Sequence, residues 1–139
     1  MAVPRILQEA GDRDRIAIPV GTSTNLEKGD LLSYESNAAV LFDAATEDAT
    51  FTGYMINQVS SDFSEPDRAV AGLKGIVEYD CDSANYAVGD GLKYSAENKV
   101  VDDGGSDTIV WSAEYATSVT RVDVIVDVLA LGKLFASAN

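Results

Sequence analysis

The sequence predicts an all-β fold, a small barrel or sandwich of short antiparallel strands. Short apolar stretches recur along the chain, and turns rich in Gly, Asp, Asn and Ser separate them. No stretch keeps a helical period for more than about two turns, which disfavours a helical fold. The 139 residues suit one domain, and a chain of this length buries enough surface to fold without disulfides or a structural metal.

Residues 1–15 differ from the rest of the chain. Their basic and acidic residues balance, apolar residues are few and no alternation appears. We therefore expect a flexible N-terminal arm over residues 1–15, followed by a single all-β domain over residues 16–139. Pro4, Arg5, Ile6 and Leu7 are the candidate contacts of this arm with a partner, which would offset its ordering entropy. Ordinary terminal disorder is the alternative.

The strand candidates follow one another with short gaps. The last of them is the clearest, because a period of two places four valines on one buried face. Residues 102–107 supply a turn, and helical turns are expected only near residues 83–86 and beyond Leu131. The candidates are residues 15–20, 31–34, 38–42, 51–60, 68–78, 91–94, 99–101, 108–115 and 120–131, and the valines are Val122, Val124, Val126 and Val128.

One pattern occurs twice. The segment from Gly29 to Tyr34 recurs from Gly89 to Tyr94, with Gly, Asp, Leu and Tyr at the same offsets. A polar turn and a further strand follow each copy, which predicts two similar hairpins. They indicate either a fold with two similar lobes or one motif used twice in one barrel, and chance similarity is the alternative.

The charge excludes some partners. Twenty-three acidic residues against ten basic ones give a net charge of −13. This field repels nucleic acid and anionic membranes and attracts a basic surface, although it also serves solubility alone. No apolar stretch is long enough to span a bilayer, and the N-terminus does not look like a signal peptide. We expect neither nucleic acid nor membrane as a partner, and synthesis in a cytoplasm.

The sequence predicts no catalytic, cofactor or metal site. The chain has no His, the commonest general base and metal ligand. Cys81 lies between Asp80 and Asp82, which disfavours its thiolate, so we expect a buried, unreactive thiol. Residues 89–91 begin like a dinucleotide fingerprint, but Tyr94 stands where the third glycine is needed. We expect that the protein is not an enzyme.

Two further groups have a functional and a structural interpretation. Asp102, Asp103 and Asp107 could ligate Ca²⁺, but the spacing does not match an EF-hand, and a solvated hairpin turn is favoured. Trp111 is expected to share a strand face with Ile109 and to pack in the core. A sugar-stacking platform is the alternative for Trp111, and it requires several tyrosines exposed on the same face.

The turns and strands of the second half resemble a known family. A Gly-hydrophobic-hydrophobic-Glu strand at residues 75–78 leads to the Val88-Gly89-Asp90 turn, and a valine-rich strand at residues 122–126 comes last. With the Gly29-Asp30 turn, this pattern is similar to the capsid decoration (cement) proteins of tailed bacteriophages. The resemblance covers residues 16–128, and the chain departs from it by a longer N-terminal arm and an apolar tail.

The resemblance implies a structural virion protein that binds the outer surface of a phage capsid and stabilises the shell. It implies the major capsid protein as partner, a homotrimer on the capsid, and synthesis in the bacterial host cytoplasm. Leu131, Leu134 and Phe135 in the apolar tail are the candidates for self-association, and Pro4, Arg5, Ile6 and Leu7 become candidate capsid contacts. The alternative function is a carbohydrate-binding β-module of a fibre or adhesin.

Overall fold

The structure is a computed structural model, and it describes residues 3–20, 25–43, 50–59, 68–105 and 107–131. These residues are almost entirely β, which confirms the predicted fold class. A single 3-10 turn at Asp12–Asp14 is the exception near the N-terminus. The elements of the described part are β1 (Arg5–Gln8), β2 (Arg15–Pro19), β3 (Leu31–Glu35), β4 (Ala38–Leu41), β5 (Gly53–Met55), β6 (Arg68–Gly72), β7 (Lys74–Tyr86), β8 (Gly91–Ala96), β9 (Lys99–Asp102), β10 (Val110–Ser112), β11 (Ala116–Asp127) and α1 (Val128–Leu131).

Strands β2 to β11 form two five-stranded units with the same topology. The spatial order is β2-β6-β5-β3-β4 in the first unit and β7-β11-β10-β8-β9 in the second. These orders are identical when the strands of each unit are numbered from its own start. Within each unit, a parallel pairing connects the two edges of the sheet. Strand β9 pairs with β7 at Cys81 and closes the second unit into a barrel, and Val20 bridges Ala39 in the first unit.

The equivalence of the two units extends to their register. One cross-strand row of the first unit contains Leu31, Tyr54, Gly72 and Arg15. In the second unit the row at the same position contains Gly91, Trp111, Ile125 and Ile76. The two copies of the repeated sequence pattern begin the hairpins β3–β4 and β8–β9, one in each unit. Of the two predicted arrangements, the fold with two similar lobes is therefore correct.

The same turn precedes both hairpins. The Asp30 amide donates to the Glu27 carbonyl at 3.1 Å, and the Asp30 carboxylate accepts from the Glu27 amide at 2.9 Å. Asp90 makes the equivalent bonds with Ala87 at 3.0 and 2.9 Å. The glycine before each Asp has a positive φ, 89° in the first copy and 90° in the second. Glycine adopts this conformation at little cost, which explains the repeated Gly-Asp pair.

Two hydrophobic clusters hold the described residues together. One lies within the first unit and includes Ile18, Leu26 and Leu32. The other, the shared core, crosses between the units, since it contains Phe42 and Tyr54 of the first unit together with the inward valines of β7 and β11. The predicted valine face is confirmed, because Val122, Val124, Val126 and Val128 are all fully buried.

The N-terminal segment differs from the prediction. Residues 3–15 do not form a loose arm: Arg5–Gln8 pair antiparallel with β7, Ile6 packs against the shared core, and Ala10 is buried. The unpaired edge of β7 supplies backbone hydrogen bonds to this segment, and the composition of the segment itself contains no sign of that edge. The domain therefore includes the strand that was assigned to the arm.

Smaller differences concern element bounds. Residues 83–86 continue β7 instead of forming a helical turn, and the described part of the candidate strand 51–60, residues 51–59, contains the short strand β5. A helical turn, α1, forms at Val128–Leu131, and the helical turn expected beyond Leu131 falls outside the described residues. Among the described residues, no helix has the length and apolar character that a membrane crossing requires.

Candidate interaction surface

Strand β1 lies along the outer edge of the second unit, and residues 4–7 differ in how exposed their side chains are. Ile6 faces the shared core, and the Pro4 ring covers the Gly29 turn so closely that a Cβ at Gly29 would lie 2.7 Å from the Pro4 Cβ. Arg5 is exposed, and Leu7 is 43% exposed. Of the four candidate contact residues, only Arg5 and Leu7 therefore remain well exposed for a partner.

The Tyr54 hydroxyl anchors the segment that follows β1. It accepts a hydrogen bond from the Ala10 amide at 2.8 Å and lies 2.8 Å from the Lys74 carbonyl, to which it donates. A Cβ at Gly75 would overlap this hydroxyl, so glycine is required where the chain passes between the units. Burial raises the pKa of Tyr54, which keeps the hydroxyl a neutral donor.

A charge network joins β1 to β7 and β11. Arg121 contacts Glu78 at 2.8 Å and Asp80 at 2.6 Å, and its Nη2 donates to the Val3 carbonyl at 2.8 Å. Arg5 adds a second contact to Glu78 at 3.2 Å. The hydrogen bond from Arg121 is the main cause that lowers the pKa of Glu78. Burial raises the pKa of Asp123, and the charges of Glu114 and Glu78 raise it further.

Next to this network, the outer face of the second unit carries an apolar row. The row consists of Ile76, Ile125 and Trp111, which are cross-strand neighbours on β7, β11 and β10. Ile125 is 36% exposed, and the other two side chains are half-buried. The row is bordered by Lys74 and Asp127 on one side and by the paired positions Glu78 and Asp123 on the other. An apolar centre with a charged rim is typical of an interaction surface.

Trp111 does not lie where the sequence placed it. Ile109 is buried, whereas Trp111 is half-buried on the opposite face of β10 from the buried Val110. The prediction of a core tryptophan sharing a face with Ile109 is therefore wrong. Because β10 begins at Val110, Ile109 lies outside the strand, and the strand alternation does not extend from Trp111 to Ile109.

The tyrosines do not form the exposed platform that a sugar-binding module requires. Tyr54, Tyr79 and Tyr86 are fully buried, and Tyr34 and Tyr94 are half-buried. Tyr115 is the tyrosine with a largely free ring, at 81% exposure. The aromatic side chains of the described residues therefore give no support to the carbohydrate-binding alternative.

Cys81 has the buried environment that was predicted, whereas the acidic turn joins β9 to β10, which are not neighbours in the sheet, so it is not the hairpin turn that was predicted. Cys81 is buried, and burial raises the pKa of its thiol. Asp102 and Asp103 accept hydrogen bonds from the amides of Gly104 and Gly105 at 2.8 and 2.7 Å, and Asp103 also accepts from the Thr108 hydroxyl. Within the described ranges, no three His, Cys, Asp or Glu side chains are grouped as a metal site would require.

The self-association candidates fall in two categories. Leu131 is half-buried at the end of α1 and packs against the shared core, so much of its surface already has a partner within the chain. Leu134 and Phe135 lie outside the described residues. The apolar row is therefore a better candidate than Leu131 for contact with another molecule.

Comparison with known proteins relates the chain to a phage structure. No protein-family model and no curated protein sequence matches it. Among solved structures, the N base of the head fibre protein gp8.5 of bacteriophage phi29 is similar, with a TM-score of 0.52 and 14% sequence identity. The similarity covers 81% of this chain and 94% of that one. At this level of identity the likeness establishes a shared fold.

The sequence patterns missed the apolar row and the charge network for the same reason. Each pairs residues that are far apart in the chain, such as Glu78 and Arg121. The signal that was available is the cross-strand coincidence of Ile76 and Ile125, which requires the register between β7 and β11. That register is visible only after the strands have been paired.

Proposed function

We propose that this protein is a structural component of a bacteriophage virion, bound to the outer surface of the head, where it stabilises the shell. The observation that carries the proposal is the fold, which the chain shares along most of its length with the base of a phage head fibre. The family resemblance of residues 16–128 points to the same location. The partner is the major capsid protein.

The surface properties support this assignment. The net charge of −13 favours a basic partner and keeps the free protein soluble before it meets the shell. A decoration protein stabilises a shell by mass action, because it binds the intact lattice and not the dissociated subunits. Many copies on one head also gain avidity without strong single contacts.

Co-sedimentation with phage heads tests the proposal. Purified protein is mixed with empty heads assembled from the capsid protein encoded by the same phage, and the bound fraction and the heat resistance of the heads are measured. We expect saturable binding and heads that resist higher temperatures. Absence of binding to mature and to immature heads would overturn the proposal.

Two variants locate the contact. We expect the double variant Arg5→Ser with Leu7→Ser to lose affinity for heads by about tenfold or more, because both side chains are exposed on β1. The matched control is Tyr115→Ser, which removes an exposed aromatic side chain elsewhere. Equal loss in both variants would contradict a specific role of β1.

A further inference from the structure

The two equivalent units contact each other through faces that are not equivalent. The first unit contributes its Gly29-Asp30 turn, and the second contributes the turn between β8 and β9. The Asn98 side chain accepts from the Leu31 amide at 3.0 Å and donates to the Asp30 carboxylate at 2.9 Å. The Tyr79 hydroxyl donates to the Gly29 carbonyl at 2.6 Å. All of these groups are buried, so the two turns form a fixed joint.

The units share one topology and, apart from a bulge between Tyr94 and Ala96, one register, so each carries both faces. Among the described residues, one face of each unit has no partner. The second unit has the turn equivalent to Gly29-Asp30 at Gly89 and Asp90. Gly29 and Asp30 are buried, whereas Gly89 is exposed, and no atom outside its own neighbours lies within 4 Å of a Cβ built on it. The first unit has the turn equivalent to Asn98 at Asn37, which is exposed and shares the left-handed φ, 65° against 52°.

The surfaces beside these free turns are apolar. On the second unit, the row Ile76, Ile125 and Trp111 occupies the position that Arg15, Gly72 and Tyr54 occupy in the first unit. In the first unit Tyr54 of that row is fully buried, against the Ala10 amide of the N-terminal segment and the Lys74 carbonyl at the start of the second unit. Val88, next to Gly89, is 65% exposed. On the first unit, a groove of about 290 Å³ lies between β2 and Tyr34 of the Asn37 hairpin, lined by Ile16, Ala17, Ile18 and Pro19.

We propose that the two free faces bind each other in neighbouring copies of the chain, so that Asn37 of one copy meets Asp90 of the next as Asn98 meets Asp30 within the chain. The occupant of the apolar row is thus the β2 side of a second copy. A second copy in this position continues the interface between the units, with the same type of joint. Asn37 follows β3, whereas Asp30 precedes it, and Asp90 precedes β8, whereas Asn98 follows it, so each free turn lies at the other end of its strand from the joint. The contact is therefore head-to-tail and generates a ring or a filament.

The first test compares two amide-to-acid substitutions. Asn37→Asp keeps a residue that tolerates the left-handed conformation, but it removes the donor and places a carboxylate against Asp90. Gln58→Glu makes the same chemical change and adds the same charge at an exposed position after β5, away from both faces. Sedimentation velocity over a range of protein concentrations measures association, and thermal melting verifies the fold. We expect wild type and Gln58→Glu to associate, and Asn37→Asp to remain monomeric with an unchanged melting temperature.

The second test traps the contact. Asn37→Cys and Asp90→Cys are prepared separately, mixed and mildly oxidised, and non-reducing gels report disulfide-linked dimers. We expect dimers of the mixture, and few or none when Asn37→Cys is mixed with Lys28→Cys, which is exposed but lies beside the Gly29-Asp30 turn, at the contact within the chain. Absence of the cross-link together with a monomeric wild type, or association of Asn37→Asp equal to wild type, would overturn the proposal. Both tests use the free protein, so their outcome is independent of head binding.

Discussion

At the scale of single residues, the buried polar groups determine how the pieces meet. The hydroxyls of Tyr54 and Tyr79 reach backbone groups 44 and 50 residues away in sequence. Tyr54 lies within the candidate strand 51–60, and Tyr79 directly follows the candidate strand 68–78. The partners were not predictable, because a hydroxyl selects its acceptor from whatever the folded chain brings within about 3 Å.

Tyr54→Phe tests the anchor of the N-terminal segment. Loss of the hydroxyl leaves the Ala10 amide and the Lys74 carbonyl without this partner, and each group is costly to bury unpaired. We expect the free energy of unfolding in urea to fall by about 1–3 kcal/mol. Tyr115→Phe is the control, since its ring is exposed, and it should leave the urea midpoint unchanged. A similar shift in both variants would show that the Tyr54 hydroxyl has no special role.

Glu78 and Asp123 should have opposite effects on acid stability. The pKa of Glu78 is lowered below its usual 4.5 in the folded protein, so its stabilisation is complete above pH 4.5 and is lost as pH falls through the lowered value. The pKa of Asp123 is raised above 3.8, so acidification between that raised value and 3.8 adds stability.

Urea midpoints measured across the acid range distinguish these contributions. Glu78→Gln should flatten the decline of stability with falling pH, because the group that loses its stabilising charge is gone. Asp123→Asn should steepen the decline, because it removes the group that opposes it. If both variants keep the wild-type slope, neither carboxylate contributes to the acid limb.

At the scale of elements, alternation predicted the strands that have one buried and one open face. β11 is the clear case, and its register was correct because the valines alternate with residues of which all but Ile125 are charged. Strand β1 was missed because its stability comes from the ladder with β7 and from Ile6 alone. The candidate strand at residues 68–78 combines β6 with the start of β7, which belong to different units, and it stops short of residues 79–86, which pairing with β11 holds in β7.

Neighbouring residues of β11 provide a matched test of its register. Val124 is fully buried, whereas Ile125 is 36% exposed on the opposite face. Val124→Asp places an unpaired charge in the core and should cost several kcal/mol, roughly enough to unfold a marginal domain. Ile125→Asp should retain a cooperative thermal transition in circular dichroism. A folded Val124→Asp protein would show that the register is wrong.

The two central residues of β1 provide the same comparison at the edge. Ile6 packs against the shared core, and Leu7 is 43% exposed. We expect Ile6→Ser to lower the free energy of unfolding by about 1–3 kcal/mol through lost apolar burial, and Leu7→Ser to change it by less than about 0.5 kcal/mol. Equal effects would mean that β1 is not held in this orientation in solution.

At the scale of the whole molecule, the duplication explains both the repeated Gly-Asp turns and the tandem arrangement. The sequence contained the repeat only around the turns, where glycine and aspartate are each required by the backbone. Elsewhere the two units have different side chains at equivalent positions, such as Tyr54 and Trp111, because one position faces the joint and the other faces outward. Sequence similarity therefore survives at the turns and not in the row between them.

The net charge of −13 predicts a dependence of stability on salt. Self-repulsion destabilises a compact state of high charge. Raising ionic strength from about 0.01 M to about 1 M shortens the Debye length from about 30 Å to about 3 Å. We expect the thermal midpoint to rise with NaCl and to rise equally with KCl, as screening requires. A lower midpoint at high salt would mean that the attractive charge network outweighs the repulsion.

The attachment of β1 to β7 has a consequence for synthesis on the ribosome. Arg5 pairs with Glu78, 73 residues later, and Val3 meets Arg121, 118 residues later. At about 5–20 residues per second, the first strand to emerge waits roughly 4–15 seconds for its partner to be translated. The first unit is complete in the nascent chain before that time, whereas the edge of β7 emerges later and stays unpaired until β1 reaches it. A bulky N-terminal fusion that delays β1 would therefore leave this edge open to strands from other nascent chains.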